Sequence, residues 1–325
     1  RNFTSLTKLA DFLCLLPEQK SQLLECPSFV LNLPFRLAEK MEKGSVTDPL
    51  FLQFVPLQKE LLQQEGFSSD PVQDASFQKT CKLLQKYAGR ALILATGACA
   101  MHCRYCFRQH FAYDRELGLS RELASIAEDA SLQEVILSGG DPLSLSDRSW
   151  GEIVHFLDKK APHVKRLRVH TRFLVGIPER VTPLLLEILQ KTRLSVVVIV
   201  HINHPKELDE EVGAALVSLQ RAGCLMLNQS VLLKGVNHDQ TILRELCEKL
   251  IQYGTLPYYL HQLDRTQGTS HFEVPEEEGR ALMQQLRECL PGYAVPRYVK
   301  EIPGEKHKTE LTQAFNQDRQ APFSM

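Results

Sequence analysis

The sequence lacks the features of a nucleic-acid-binding or membrane protein. Its 325 residues carry 38 basic and 39 acidic side chains, a formal net charge of −1 at pH 7, so we expect no nucleic-acid partner. No apolar run approaches the roughly 20 residues that cross a bilayer. The segment 1–16 mixes charges with apolar residues and has no signal-peptide core. We therefore expect a soluble cytoplasmic protein with no membrane association.

Low-complexity segments and internal repeats are also absent. The counts of 17 glycines and 17 prolines are ordinary for a globular chain and exclude a collagenous or disordered one. The length suits either two domains or one large α/β barrel. Residues 1–88 show no obvious β-rich run and are predicted to form an N-terminal helical cap.

From residue 90 onward, short β-branched or Leu-rich runs alternate with helical patterns. Such an alternation is typical of βα units around a parallel sheet. Six units would form a three-quarter barrel and eight a closed one, with the chemistry at the carboxyl ends of the strands. The predicted strands are Ala91–Ala95, Glu134–Ser138, Arg166–His170, Leu194–His201, Cys224–Val231 and Leu256–Leu260, and the predicted helices include Ser120–Ala130, Asp147–Lys160, Val181–Lys191, Glu207–Ala222 and Gln240–Gln252.

The nine cysteines fall into two groups. Three of them, Cys99, Cys103 and Cys106, lie together directly after the first predicted strand. Three thiolates on one loop suit a 4Fe–4S cluster with one open iron. A zinc site completed by His102 or His110 is the main alternative, and a chance cluster is another. The others are single and are expected to be buried thiols: Cys14, Cys26, Cys81, Cys224, Cys247 and Cys289.

A second motif, SGGDPL, follows the second predicted strand. Taken alone, it is a glycine turn in which Asp141 caps the next helix. Alternatively, the missing side chains of Gly139 and Gly140 let backbone groups approach a ligand.

Together these motifs resemble the radical S-adenosylmethionine (SAM) superfamily. The segments CRYCFRQHF, SGGDPL, HINHP, NQSVLLKGVN and PYYLHQLD, in that order, are similar to the lysine 2,3-aminomutase family. The likeness is greatest to its short branch, which supplies β-lysine for modification of translation elongation factor P. It implies an α/β fold: a partial (β/α)6 TIM-like barrel over 89–303, after the 1–88 extension.

The resemblance implies three cofactors and their ligands. Cys99, Cys103 and Cys106 would hold the 4Fe–4S cluster, and the open iron would bind SAM. Pyridoxal 5′-phosphate (PLP) would be carried by Lys308, with Lys306 as the alternative, on a tail spanning 304–325. The implied contacts of SAM are Tyr105, Ser138, Gly139, Gly140, Asp141 and Gln229, and those of PLP are Arg90, His201 and Tyr258.

The resemblance also implies a substrate, L-lysine. Arg108 would bind its carboxylate as a bidentate fork, while Asp264 and Glu301 would bind its side-chain ammonium. The implied reaction is isomerisation of L-α-lysine to β-lysine, in the R form, with the product passed to an elongation factor P lysyl ligase. A flavodoxin or ferredoxin would donate the electron. A metabolic aminomutase acting on free lysine or another amino acid, and a non-enzymatic Fe–S or zinc protein, are the alternatives.

Overall fold

The N-terminal extension contains strands as well as helices. The computed structural model describes residues 1–114 and 118–311. The expectation of a purely helical extension is wrong, because β3 and β4 pair antiparallel with each other and β4 pairs with the first barrel strand. Strands of two or three residues are too short to show an alternating pattern in the sequence. The elements here are β1 (Asn2–Phe3), α1 (Leu6–Phe12), α2 (Pro17–Lys20), β2 (Leu33–Pro34), α3 (Phe35–Glu39), α4 (Pro49–Phe54), β3 (Gln78–Thr80) and β4 (Leu83–Leu84).

The six predicted barrel strands are confirmed, and they form the centre of one ten-stranded sheet. A seventh strand, β11, pairs parallel with β10, and β12 folds back antiparallel on β11. The predicted partial barrel is thus correct in topology and is extended by one parallel strand. The strands are β5 (Arg90–Thr96), β6 (Glu134–Gly139), β7 (Arg166–Thr171), β8 (Ser195–Val200), β9 (Leu225–Val231), β10 (Leu256–His261), β11 (Arg297–Lys300) and β12 (Thr309–Glu310).

The helices follow the predicted βα order. Ser146 caps α6 through the Ser149 amide, and Asp239 caps α9 through two amides, so both helices begin where the sequence indicates. The helices are α5 (Ser120–Glu128), α6 (Asp147–Lys160), α7 (Pro183–Lys191), α8 (Glu210–Arg221), α9 (Gln240–Gln252) and α10 (Glu276–Cys289). Short 3₁₀ turns lie at Gln58–Leu61, Asp74–Phe77, Pro142–Ser144, Phe173–Val175, Pro178–Arg180, Pro205–Glu207, Ser270–Phe272 and Gly292–Ala294.

One apolar cluster joins the extension to the barrel. Extension residues such as Leu37 and Phe51 belong to the same buried cluster as the strand residues Ile93 and Val198. The extension therefore packs on the barrel as part of its core and can reach the loops at the carboxyl ends of the strands. Among the described residues, no helix is long and apolar enough to span a bilayer.

The single cysteines are not all buried. Cys224 and Cys247 are buried as expected and Cys289 is partly buried, but Cys14, Cys26 and Cys81 are exposed. The expectation fails for these three because they lie in the extension outside its regular elements, and Cys14 has a positive φ of 56°. An apolar sequence context does not bury a residue that lies in a surface turn.

Candidate active site

The cysteine loop directly follows β5 and is held by the extension. The guanidinium of Arg104 is fully buried and donates from Nε to Glu60 Oε1 at 2.8 Å and from Nη1 to the Phe29 carbonyl at 2.6 Å. Asn32 Nδ2 donates to the Cys99 carbonyl at 3.0 Å. The alternative zinc ligand His102 instead bonds through Nδ1 to the Val30 carbonyl at 2.8 Å. Contacts from the extension thus hold the cysteine loop in place on the barrel.

The three thiols are partly buried and unpaired. Burial raises the pKa of Cys106 to about 11, and it also raises the pKa of Cys99 and Cys103, so all three are protonated thiols without a metal. In the described part of the chain, no group of three or more His, Cys, Asp or Glu side chains is arranged to hold a metal ion. Ligation by Cys99, Cys103 and Cys106 therefore stays a prediction.

Arg172 is a buried cation beside this loop that the sequence reasoning missed. Its Nη2 donates to Gln53 Oε1 at 2.7 Å and to Glu207 Oε2 at 2.9 Å, while its Nε and Nη1 are buried without a partner. Its charge lowers the pKa of Cys103, against the larger opposing effect of burial. Two unpaired donors next to the thiols fit an anionic group there, as a thiolate-ligated cluster or a carboxylate would be.

The SGGD segment brings two loops into close contact. Gly139 has a φ of +116°, and a Cβ at this position would lie 2.5 Å from the Thr96 carbonyl oxygen. A Cβ at Gly140 would overlap the Ala98 carbonyl. Both positions therefore require glycine, so that the loop can pack against the start of the cysteine loop.

Asp141 is occupied by internal hydrogen bonds. It accepts from the amides of Leu143 at 3.0 Å and Arg172 at 2.7 Å, and from Thr171 Oγ1 at 2.8 Å. Burial raises its pKa to about 6 against these bonds, which favour the charged form. These contacts are those of a turn cap, so a role for Asp141 and Ser138 at SAM stays a prediction.

The predicted SAM neighbours Tyr105 and Gln229 lie on the cysteine loop and on β9, and Asn203, which contacts Tyr105, also accepts from the Val231 amide of β9 at 2.8 Å. The Tyr105 hydroxyl accepts from Asn203 Nδ2 at 2.7 Å, and its ring meets Phe272 edge-on with centroids 6.2 Å apart. Gln229 is buried on β9, two residues before the strand ends. Asn203 lies in the HINHP motif. This motif is therefore the sequence signal from which Asn203 could have been identified as a site residue.

The predicted PLP lysine lies against one of the predicted substrate acids. Lys308 Nζ donates to Glu301 Oε2 at 2.7 Å, and the Tyr87 hydroxyl donates to Glu301 Oε1 at 2.7 Å. Burial raises the pKa of Glu301, but Lys308, Tyr87 and Lys86 outweigh burial and hold it below its usual range. Lys306, two residues away, is exposed to solvent. The two lysines of the tail thus differ: Lys308 pairs with a predicted substrate acid, whereas Lys306 is exposed.

Asp264 shares this region. Burial raises its pKa to about 6, Lys308 opposes this rise, and Glu301 adds to it. Asp264 follows β10, whereas Glu301 follows β11, and these two strands are adjacent and parallel. The adjacent strand ends therefore bring both predicted ammonium-binding acids to one side of the mouth, with the Lys308 charge acting on both.

Arg108, the predicted carboxylate ligand, has a side chain that is only 9% exposed, and it already has a counter-ion. Its Nε donates to Asp74 Oδ2 at 2.8 Å, and its Nη1 donates to Ser138 Oγ at 3.3 Å. Lys86 Nζ lies 3.6 Å from Asp74 Oδ1 and 3.4 Å from Glu301 Oε1. A chain of alternating charges thus runs from Arg108 through Asp74 and Lys86 to Glu301. The two residues in its middle belong to the extension, and sequence reasoning missed them.

Three imidazoles line the barrel interior near Lys308. His170 Nδ1 and His201 Nε2 are 3.2 Å apart, and burial lowers the pKa of His201 to about 3. His261 is kept neutral first by burial and then by the Lys308 charge, and its Nε2 is buried without a partner. An unpaired imidazole nitrogen facing this region fits a ligand with a hydrogen-bonding group.

The remaining predicted PLP contacts lie lower in the barrel. Arg90 is the first residue of β5, and its guanidinium stacks 4.9 Å from the Tyr87 ring, which links it to Glu301. Tyr258 and Tyr259 share a hydroxyl–hydroxyl bond of 3.0 Å. It is Tyr259, not Tyr258, whose ring meets His261 edge-on at 5.5 Å. Because residues two apart on a strand share a face, Tyr259 is a further candidate for a cofactor contact.

The chain is similar to curated proteins over most of its length. It is 44% identical over 285 residues to the L-lysine 2,3-aminomutase of Haemophilus influenzae, covering 86% of this chain and 84% of that protein. To the L-lysine 2,3-aminomutase of Escherichia coli it is 42% identical over 287 residues, covering 87% and 83%. The protein of the same name from Clostridium subterminale is 32% identical over 310 residues, covering 94% and 74%.

Among solved structures, a radical SAM methyltransferase from Sphaerobacter thermophilus has a similar fold. The TM-score is 0.50 at 19% identity, over 67% of this chain and 68% of that one. This likeness bears on the fold alone and agrees with the partial barrel. No family model matches the chain.

Proposed function

The chain belongs to the lysine 2,3-aminomutase family, a family of isomerases, and we propose that it converts L-α-lysine to β-lysine in the site described above. Membership of a radical SAM family implies SAM and a 4Fe–4S cluster. The observation that carries the proposal is the meeting of Lys308, Glu301 and Asp264 at one side of the mouth, connected by paired charges to Arg108.

The charges of the site match the substrate. Arg108 uses Nε for Asp74 and one hydrogen of Nη1 for Ser138 Oγ, and we propose that the remaining hydrogens of its outer nitrogens bind the carboxylate. Asp264 and Glu301 supply two carboxylates for a single ammonium, which favours lysine over glutamate or a neutral amino acid. The substrate would be held at both ends, and this fixes the carbon atoms between them.

PLP, if carried by Lys308, supplies a π system through which an amino group can migrate between neighbouring carbons. We propose that Lys308 holds it covalently and that Arg90, His201 and Tyr258 surround it. The unpaired Nε2 of His261 supports a cofactor with hydrogen-bonding groups at this depth. The neutral imidazoles would accept or donate one hydrogen bond each without adding charge.

Cys99, Cys103 and Cys106 would hold the cluster, which supplies the electron for cleavage of SAM. The unpaired Nε and Nη1 of Arg172 support an anionic group beside these thiols. Tyr105, Ser138, Gly139, Gly140, Asp141 and Gln229 are the proposed SAM neighbours.

We further propose that the protein acts in the cytoplasm, takes its electron from a flavodoxin or ferredoxin, and makes the R form for an elongation factor P lysyl ligase. This finer assignment rests on the motif likeness to the short branch. A free-lysine aminomutase in metabolism has the same site, so only the fate of the product separates the two.

The deciding experiment is anaerobic incubation with SAM, PLP, a reductant and isotopically labelled L-lysine, followed by chiral analysis of the amino acids. We expect labelled β-lysine in the R form, with none when PLP or SAM is omitted. Unchanged lysine in the complete mixture would contradict the proposed reaction. Transfer of the product to elongation factor P by the ligase would support the modification role, and its absence would favour the metabolic role.

A further inference from the structure

The ammonium-binding side of the site is already filled by a cation of the chain itself. Lys308 Nζ lies 2.7 Å from Glu301 Oε2, the carboxylate assigned to the substrate's side-chain ammonium under the proposed function. The side chains are 26% and 10% exposed, so the pair is largely shielded from water. A substrate ammonium cannot take this position while Lys308 occupies it.

We propose that Lys308 is a placeholder for the substrate ammonium and that attachment of the cofactor to Lys308 opens this subsite to lysine. The proposal rests on the proposed function. The nitrogen that pairs with Glu301 is the one that would bond to PLP. Once that nitrogen is engaged elsewhere, Glu301 loses its nearest cation and can accept another.

The balance of charges supports this exchange. The described residues of the charge chain and its neighbour Asp264 comprise three cations, Arg108, Lys86 and Lys308, and three acids, Asp74, Glu301 and Asp264. Once its Nζ bonds to the cofactor, Lys308 no longer pairs with Glu301, and a carboxylate without its nearest cation in a largely shielded place costs free energy until a new cation arrives. A lysine side chain supplies a single positive charge and so restores the balance.

Lys86 remains paired with Glu301 when Lys308 bonds to the cofactor. It lies 3.4 Å from Glu301 Oε1 and is held by a bond to the Val72 carbonyl at 2.7 Å, so it stays when Lys308 leaves. Tyr87 continues to donate to the same carboxylate oxygen at 2.7 Å. Only Oε2 of Glu301 becomes free, which limits the subsite to one new cation.

Cofactor loading and lysine binding are therefore coupled, and the coupling acts equally in both directions. The ligand that reveals it is 6-aminohexanoate, which has the carboxylate and the side-chain ammonium of lysine but no α-amino group. Hexanoate, which lacks the ammonium, is the matched control ligand. Neither one can replace Lys308 on the cofactor through an α-amino group.

The test is calorimetric titration of 6-aminohexanoate into the PLP-free full-length chain and its Lys308→Met variant. We expect Lys308→Met to bind about tenfold or more tightly than wild type, since a charge-assisted hydrogen bond is gained. Hexanoate binding should change little. The control Lys306→Met should behave as wild type, because Lys306 is exposed. Adding Glu301→Gln to Lys308→Met should remove the gain.

Equal or weaker binding by Lys308→Met, or no binding by either protein, would overturn the placeholder role. If Lys308→Met does not fold, PLP-loaded and PLP-free wild type are compared instead, while the absorbance of the lysine–cofactor bond is recorded. We expect tighter binding after loading, and equal binding would overturn the proposal. Its failure is distinguishable from failure of the proposed function, which shows as absence of β-lysine in the complete reaction mixture.

Discussion

The barrel and the N-terminal extension supply different parts of the candidate site. The barrel strands and the loops after them carry the groups with predicted chemistry, such as Cys103, Arg108 and Asp264. The extension supplies their partners: Glu60 for the cysteine loop and Asp74 for Arg108. The groups with predicted chemistry can thus be identified from motifs in the barrel sequence, but their contacts come from a segment that has no motif of its own.

This difference explains what could be predicted from the sequence. Each barrel strand is a short apolar run bounded by turns, and the first four residues of β6 are buried on both faces, so the strands and the bounds of α6 and α9 agree with the sequence pattern. The resemblance assigned Glu301 and Lys308 to one site, and the two side chains are in contact. Asp74 and Lys86 escaped notice because their partners are 34 and 215 residues away, and no local pattern records such contacts.

Loss of a single thiol from the cysteine loop should abolish the activity. Cys103→Ala removes one of three thiolates, and the two that remain cannot hold a stable 4Fe–4S cluster. We expect reconstituted protein without the brown cluster absorbance and without cleavage of SAM, measured by ultraviolet–visible and electron paramagnetic resonance spectroscopy. Cys26→Ala, at an exposed thiol of the extension, should retain both signals. A normal cluster in Cys103→Ala would remove Cys103 from the ligand set.

Lys308→Ala tests the other end of the site. It removes the amine that would bond to PLP, so the visible absorbance of the bound cofactor should disappear after gel filtration. Lys306→Ala should keep that absorbance, since its side chain points into solvent. Retention of the signal in Lys308→Ala together with its loss in Lys306→Ala would move the assignment to Lys306.

Asp264→Asn should raise the KM for lysine by about 10- to 100-fold, because a charged hydrogen bond to the ammonium is lost. Since burial raises the pKa of Asp264 to about 6, wild-type affinity should fall as the pH drops through 6 and the carboxylate is protonated. The variant should lack this fall. Glu277→Gln, at an exposed carboxylate, is the control. An unchanged KM would place the ammonium elsewhere.

Glu60→Gln tests the contribution of the extension to the cysteine loop. It leaves the fully buried Arg104 guanidinium without its counter-ion, which should lower the free energy of unfolding by about 3 kcal/mol. We expect a lower urea midpoint and less iron per chain after reconstitution, whereas the exposed neighbour variant Lys59→Gln should match wild type. Full stability with full iron content would show that the extension does not orient the cysteine loop.

We propose that the cysteine loop and the Lys308 subsite serve one reaction on one lysine molecule. It is tested most directly with lysine deuterated at its β-carbon, by mass spectrometry of the 5′-deoxyadenosine released from SAM. We expect deuterium in the released 5′-deoxyadenosine, dependent on PLP and absent in Lys308→Ala. Deoxyadenosine formed without deuterium while the labelled lysine is present would contradict it.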